Sequence, residues 1–354
     1  MLSTITSMFK NKDIRNRIFF TLAMLFVFRF GSAITVPGVD VTELIKGMQD
    51  SSLFAMINML GGGGLEQLSI FAMGVGPYIT ASIIIQLLSM DVIPALTELA
   101  KGGATGKKQI DRYTRYLAVV LSFFQASTLV YSFSTQYKTL LVNGSGWASI
   151  LYVATLLTAG SMFILWIGDR ISLKGIGNGV SMIIAAGIIS RLPYQFTTAW
   201  QTLVDPSNSS ATFNGILTFG LYIVSYLLII VFVVFMQTAE RKIPIQYTSS
   251  TVTTRKKDMT YLPLKINSAS VIPVIFASAI MVAPLQICKM VWPAASWVKT
   301  LETYMGMQTP VSLVIYVVLI LLFTFFYTKL QVDPEKIAEN LGKSGTYIPG
   351  IRPG

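Results

Sequence analysis

The chain has 354 residues and a net charge of +11, and 53% of its residues are hydrophobic whereas only 12% are charged. With a mean hydropathy of +0.63, it lies outside the range of soluble globular proteins, and the composition predicts a polytopic membrane protein. A single cysteine, Cys288, excludes an internal disulfide, and the absence of histidine removes the commonest general base and a usual metal ligand, which argues against an enzyme.

Apolar runs of the length that a bilayer requires, ~20 residues, follow one another along the chain. They predict an all-α fold with eight transmembrane helices. The first run is better read as a membrane helix than as a secretory signal, because it is longer than a signal core, contains Arg29 and precedes further spans. The fifth run is short and opens on glycines, so it either extends past its apolar core or is irregular. The predicted spans are Ile18–Ile34, Ile70–Leu88, Tyr116–Phe133, Ala148–Ile167, Ile176–Ile189, Ile216–Met236, Ala269–Leu285 and Val311–Tyr327.

The region between the first span and the end of the second breaks this pattern. Leu53–Leu60 is apolar but too short to cross a bilayer, and four glycines, Gly61–Gly64, follow it as a flexible hinge. The second span then carries two further glycines and Pro77 in its first turns. Interrupted segments at membrane depth are tolerated only where they are buried in protein or line a cavity. This region is therefore the first candidate for a pore or a binding site.

The charged residues predict the orientation of the spans. If the N-terminus is cytoplasmic, the inside segments hold 21 of the 27 lysine and arginine residues, which predicts that both termini are cytoplasmic. All 16 acidic residues lie outside the spans, whereas proton- or sodium-coupled transporters usually place carboxylates at mid-membrane. Arg29 is the one intramembrane charge, and a purely structural role for it is about as consistent with the sequence as a functional one.

Two segments predicted to be cytoplasmic, Gln237–Ile266 and Lys329–Gly354, are too long for simple connectors, which run ~2–8 residues between packed helices. Basic residues of the first segment, among them Arg241 and Lys242, would project toward a cytoplasmic partner. Charge alone favours the simpler explanation, which is the general excess of basic residues on the inner side of a membrane.

Several long motifs, in order along the whole chain, resemble the SecY family, the channel subunit of the bacterial protein translocase. A single short match would carry no weight, but these motifs together are specific. They are VFRFGSAITVPGV at Val27–Val39, the INML-plus-glycine stretch, SIFAMGVGPYITASIIIQLL at Ser69–Leu88, GKKQIDRYTRY at Gly106–Tyr116, KGIGNGVSMII at Lys174–Ile184, YLPLKINSASVIPVIFAS at Tyr261–Ser278 and KSGTYIPGIRPG at Lys343–Gly354.

The resemblance implies an inverted-repeat helical channel. Its N-terminal half would be 1–190, with spans one to five and a plug helix at about 53–60, and its C-terminal half would be 191–354, with spans six to eight and cytoplasmic loops at 237–266 and 329–354. The family has ten transmembrane helices, so the resemblance also implies that this chain stops before the last two.

The resemblance further implies a function and partners. The chain would translocate unfolded, signal-bearing polypeptides across the bacterial cytoplasmic membrane and insert membrane proteins into the lipid bilayer. SecE-like and SecG-like subunits, the SecA motor ATPase, the ribosome and the signal peptide or preprotein would be its partners. The chain itself would need no cofactor, because the motor hydrolyses ATP.

Four groups of residues match the functional positions of the family. A ring of branched aliphatic side chains would form a hydrophobic constriction that excludes ions by dewetting, and polar groups would lie at a lateral gate between spans two and three on one side and spans seven and eight on the other. The resemblance assigns Val75, Ile79, Val180, Ile184 and Ile275 to the ring, Leu53, Phe54, Ile57, Asn58 and Leu60 to the plug, Thr80 and Gln125 to the gate, and Arg241, Lys242 and Arg352 to docking of the motor or ribosome.

Three other functions are compatible with a polytopic membrane protein. A secondary transporter for a small solute is the main alternative, because inverted repeats and broken helices occur there too, but the lack of intramembrane carboxylates and the large basic loops argue against it. A membrane-embedded enzyme is less consistent with a chain that has no histidine and no acidic residue in a span. A structural or assembly subunit without a pore of its own stays open.

Overall fold

The computed structural model describes residues 10–42, 64–65, 67–89, 93–137, 140–142, 144, 146–204, 209–247, 260–292, 295–306, 309–332 and 334–350. Internal contacts divide the chain into two compact units. Unit 1 comprises Met1–Phe196 and Ala279–Ser312, and unit 2 comprises Thr197–Ser278 and Leu313–Gly354. The predicted halves, 1–190 and 191–354, differ from these units chiefly in residues 279–312. The division into two inverted halves stays a prediction.

The fold is mostly helical, as the sequence predicted, and also contains a small sheet. In chain order the elements are α1 (Lys12–Ser32), α2 (Gly76–Leu88), α3 (Pro94–Lys101), α4 (Gly103–Gln136), α5 (Trp147–Lys174), α6 (Gly179–Leu203), α7 (Ser209–Thr238), β1 (Glu240–Tyr247), β2 (Thr260–Lys265), α8 (Ile272–Val291), α9 (Ser296–Met305), α10 (Pro310–Gln331), α11 (Pro334–Lys343) and β3 (Thr346–Tyr347).

Every predicted span overlaps a helix, but three differ clearly in extent. The third lies in α4, which begins 13 residues before it, at Gly103. The second span is helical only from Gly76, and the fifth continues past its apolar core to Leu203, which is one of the two alternatives that the sequence left open. Within the described ranges, four segments are long and apolar enough by themselves to cross a membrane, so the full count of eight spans stays a prediction. They are Thr105–Thr135, Trp147–Lys174, Thr212–Thr238 and Pro310–Lys329.

Two hydrophobic clusters form the interior of unit 1. Helix α4 packs against α2, α3 and α5, and α1 packs against α5. The first cluster includes Leu68, Phe133 and Leu157, and the second includes Phe71 and Val75. In a bilayer such contacts stabilise the fold through close packing, since lipid tails are as apolar as the side chains themselves. Ile70 packs against both clusters, so the described residues just before α2 lie where the two clusters meet.

Aromatic contacts within unit 2 join the first part of α8 to α10. The Phe276 ring of α8 packs edge-on against Tyr327 and Phe323 of α10, with centroids 4.8 and 5.8 Å apart. The hydroxyl of Tyr316 on α10 donates to the backbone carbonyl of Val274 at 3.5 Å. By contrast, the most apolar part of α7 has no buried residue in the described part of this chain. Helix α7 therefore presents apolar side chains all round, as expected of a helix that faces lipid or another chain.

The two long polar segments of unit 2 form one sheet, which the sequence did not predict. Strands β1 and β2 pair antiparallel, from Glu240 opposite Lys265 to Ile245 opposite Thr260. Strand β3 adds to the other side of β1, where Gln246 lies opposite Tyr347. The strand order is thus β2-β1-β3.

Candidate functional site

The interruption that the sequence predicted lies immediately before α2. Residues 67–75, here named the broken segment, run as turns and pair with the chain that follows α1. The amide of Val36 donates to the carbonyl of Leu68, and the amide of Ile70 donates to the carbonyl of Ile34, both at 3.0 Å. Because the hydrocarbon core offers no water, irregular backbone at this depth needs such partners. The broken segment is therefore held by protein on the α1 side.

Helix α5 supplies a second hydrogen-bond partner for the broken segment. The hydroxyl of Ser161, a residue only 2% exposed, donates to the backbone carbonyl of Gly74 at 2.9 Å. Gly74 has a positive φ of 55°, which a glycine adopts without steric cost. Leu68 also has a positive φ, 39°, which is unusual for a bulky residue and is found at strained, over-determined positions.

Two glycines of neighbouring helices make room for the broken segment. A side chain at Gly160 of α5 would collide with the carbonyl oxygen of Ile70, and one at Gly31 of α1 would collide with the ring of Phe71. The Phe71 ring in turn stacks between Phe28 and Phe163, with centroid distances of 6.2 and 5.9 Å. The sequence analysis missed Gly160 and Ser161, although small residues in an apolar helix signal close backbone approach.

Four of the five predicted ring residues lie in one cluster of unit 1. Val75 is a buried member of the second hydrophobic cluster, and Ile79, Val180 and Ile184 pack against it from α2 and α6. Val75 is only 1% exposed, whereas the other three are half-buried. The fifth residue, Ile275, is a half-buried residue of α8 in unit 2. The first four positions thus meet in one cluster, although Val75 and Ile79 lie about 100 residues from Val180 and Ile184 in the sequence.

The two predicted gate residues lie on packed helices but use their polar groups differently. Thr80 of α2 is half-buried, and its hydroxyl donates to the carbonyl of Gly76 in its own helix at 3.2 Å. Gln125 of α4 is also half-buried, and α2 and α4 are neighbours. Within the described residues, no hydrogen bond joins these two side chains. Their role at a gate stays a prediction.

The predicted plug residues Leu53, Phe54, Ile57, Asn58 and Leu60 lie outside the described residues. The chain on the α1 side of that region is anchored at Asp40, whose amide donates to the carbonyl of Leu140 at 2.8 Å. Thr42 donates its hydroxyl and its amide to the Asp40 carboxylate, at 2.6 and 3.0 Å. These two hydrogen bonds stabilise the ionised form and hold the pKa of Asp40 below its ordinary value.

Two of the three predicted docking residues lie in the sheet of unit 2. Arg241 and Lys242 are exposed on β1, opposite Leu264 and Pro263 of β2. Arg352 lies outside the described residues, but β3, just before it in the chain, pairs with β1. A side-chain hydrogen bond from the Tyr347 hydroxyl to Gln246, 3.1 Å long, also joins these strands.

Two charged contacts of unit 1 involve arginine side chains. Arg29 lies in the last turn of α1, where a cation interacts favourably with the helix dipole, and its guanidinium donates to the Ser32 hydroxyl at 3.4 Å. The sequence analysis missed an ion pair between Arg115 of α4 and Asp169 of α5, with an N–O distance of 3.0 Å.

In the part of the chain that the structure describes, no cluster of His, Cys, Asp or Glu side chains could hold a metal ion.

Comparison with known proteins decides the family. The family model of SecY matches residues 69–354, and the SecY protein translocase subunit of Staphylococcus aureus strain NCTC 8325 is 43% identical over 100% of this chain and 82% of its own length. This chain belongs to the SecY family. The SecY subunit of Streptococcus gordonii is 42% identical over 98% of this chain and 79% of its own length. The resemblance seen in the sequence motifs is thereby confirmed.

Solved structures show the same fold. A protein-conducting channel matches with a TM-score of 0.63 over 96% of this chain and 78% of its own, at 17% identity. A SecY structure that concerns the plug domain and the closed channel has a TM-score of 0.64, with the same coverage, at 16% identity. Sec61 from a canine ribosome-channel complex matches with a TM-score of 0.53 over 80% of this chain and 60% of its own, at 18% identity. The SecY-type channel fold is thus confirmed.

The SecY family accounts for the function as well as the fold. This chain is a membrane-embedded subunit of a protein-conducting channel, and the secondary-transporter alternative is not favoured.

Proposed function

We propose that the second hydrophobic cluster of unit 1 forms one wall of the constriction through which an unfolded, signal-bearing polypeptide crosses the cytoplasmic membrane of a bacterium. The observation that carries this proposal is the meeting of Val75, Ile79, Val180 and Ile184 in one aliphatic cluster. Half-buried branched side chains at membrane depth make a surface that water wets poorly, so ions are excluded while an apolar collar can still yield to a passing chain.

The ring residues differ in their roles under this proposal. Val75, which is buried, supports the wall, and the half-buried Ile79, Val180 and Ile184 form its accessible surface. Ile275 of α8, in unit 2, is the fifth residue that the family resemblance assigns to the ring. The broken segment fixes the start of α2, and its bonds to Ile34, Val36 and Ser161 position the wall.

The remaining sites follow the same assignment. Residues 53–60 act as the plug, and Thr80 and Gln125 lie at the lateral gate, where a signal helix passes into lipid. Weak contacts suit a gate, because interhelical hydrogen bonds in membranes average only ~0.6 kcal/mol. Both termini lie in the cytoplasm, which the excess of lysine and arginine in the corresponding loops supports.

The sheet of unit 2 is the proposed docking platform for the SecA motor or the ribosome. Arg241 and Lys242 are exposed on its central strand, and Arg352 follows its third strand closely. Guanidinium groups make strong, directional hydrogen bonds to carboxylates and phosphates. SecE-like and SecG-like subunits complete the complex.

Site-specific cross-linking tests the constriction. A photoreactive amino acid is placed at Ile79 in membranes that contain this chain and its partner subunits, and a signal-bearing polypeptide is stalled in transit. We expect the stalled polypeptide to cross-link at Ile79. The matched control is Val120, an apolar residue of α4 with a side chain 65% exposed, where we expect no cross-link.

Two results would overturn the proposal. One is the absence of a cross-link at Ile79 although the polypeptide stalls, and the other is equal cross-linking at Ile79 and Val120. A probe at Ile275 in a separate variant tests the contribution of α8 in the same way.

A further inference from the structure

Helix α9 is amphipathic, and the protein covers only half of its apolar side. At about 100° per residue, its apolar residues fall within an arc of about 120°, and its polar residues fall on the opposite side. The apolar arc holds Trp297, Val298, Leu301, Tyr304 and Met305, and the polar side includes Ser296, Thr300, Glu302 and Thr303.

The two edges of the apolar arc have different surroundings. Val298 is only 2% exposed and Met305 is half-buried, so this edge packs against protein. Trp297 and Tyr304, at the other edge, are each 47% exposed, and the neighbouring Trp292 is 52% exposed. The rings of Trp292 and Trp297 lie 5.6 Å apart. Within the described structure, three large aromatic side chains thus form one patch that is about half exposed.

The chain itself places this patch near the membrane surface. Four residues separate α9 from the end of α8, and four separate it from the start of α10. Because an extended chain spans at most ~3.6 Å per step, the five Cα-to-Cα steps across each connector reach no more than about 18 Å. Both flanking helices are apolar and overlap predicted spans. The end of α8 and the start of α10 therefore lie at the same face of the bilayer, and the short connectors confine α9 to the interfacial region there.

We propose that α9 is an interfacial membrane anchor, with Trp292, Trp297 and Tyr304 lying in the boundary between lipid headgroups and acyl chains. Tryptophan and tyrosine favour this boundary because each has an apolar ring and one polar atom. The adjoining polar side of α9 suits a helix that lies in the plane of the interface. A second protein would be an alternative cover, but the position of α9 at the ends of two spans favours lipid.

The anchor has a consequence for the channel. Helices α8 and α10 correspond to predicted spans seven and eight, which form one side of the proposed lateral gate. An anchor at their shared end limits their movement along the membrane normal and leaves lateral movement free.

Fluorescence quenching tests the anchor in the full chain reconstituted into liposomes. The sequence has five tryptophans, so replacing the other four with phenylalanine leaves Trp297 as the sole emitter. We expect lipids brominated near the headgroup end of the acyl chain to reduce its emission roughly twofold, and deeply brominated lipids or aqueous iodide to quench it much less.

Two matched variants test whether the tryptophan replacements themselves change the structure of α9. With all native tryptophans replaced, Tyr304→Trp places the emitter on the same patch and should reproduce the lipid quenching. Thr303→Trp places it on the polar side of α9 and should be quenched by iodide instead. Strong iodide quenching of Trp297 would overturn the anchor, and so would protection of Trp297 from both quenchers, which would indicate cover by protein.

Discussion

The hydrogen bond between Ser161 and the broken segment provides the most direct test of how the interrupted span is stabilised. Ser161→Ala removes the hydroxyl that donates to the Gly74 carbonyl at 2.9 Å. A buried acceptor that loses its partner costs about 1–3 kcal/mol, whereas interhelical hydrogen bonds in membranes average only ~0.6 kcal/mol with a maximum near 1.7.

The surroundings of this bond decide between the two magnitudes. The membrane average includes many hydrogen bonds to side chains that find other partners when the bond is lost. The Gly74 carbonyl is different, because Gly74 is buried and belongs to a turn before α2 begins. We therefore expect Ser161→Ala to lower the free energy of unfolding by about 1.5 kcal/mol, which is roughly tenfold in the folding equilibrium constant. The measurement is chemical denaturation in detergent micelles, followed by circular dichroism, with the transition midpoint and slope fitted together.

Thr158→Val is the matched control on the same helix. The Thr158 hydroxyl is also buried, but it donates at 2.8 Å to the carbonyl of Ala154 within its own helix, and such a bond adds little to helix stability. We expect this variant to lose less than about 0.5 kcal/mol. If Ser161→Ala were no more destabilising than Thr158→Val, the argument that α5 holds the broken segment through this bond would be refuted.

Two further predictions concern the constriction and the docking platform. Val75→Asn should reduce the yield of folded, monodisperse protein, because it buries an amide at a cost of about 1–3 kcal/mol. Ile79→Asn should fold and should instead raise ion leak across reconstituted liposomes. If the Val75→Asn protein that does fold leaked as much as Ile79→Asn, the distinction between a buried support and a pore-lining residue would be contradicted. Arg241→Glu should weaken binding of the SecA motor about tenfold or more, since a charge-assisted hydrogen bond contributes about 1.5–3 kcal/mol. Lys174→Glu, the same charge reversal at the end of α5, should bind the SecA motor nearly normally. A binding titration in which both variants lose the same affinity would indicate that general charge attraction, and not a specific contact of Arg241, binds the motor.

The sequence by itself determined the class of protein, the approximate positions of the apolar helices and the family. Apolar runs can be read locally because the hydrocarbon core requires every crossing segment to be long and apolar, whether a given face meets lipid or protein. The interruption before α2 was also predictable, because glycine and proline change the local backbone preference directly. The resemblance of long motifs such as Ser69–Leu88 then identified the family before any contact was known.

Tertiary structure alone decided how the broken segment is held and where the polar loops meet. Ser161 donates to Gly74 across 87 residues, and β3 pairs with β1 about 100 residues earlier in the chain. Neither pairing leaves a local pattern, because hydrogen-bond partners so far apart are chosen by the packing of other elements. Val75 illustrates the same limit: an apolar residue in an apolar run has no sequence signal that separates a buried support from a pore-lining side chain.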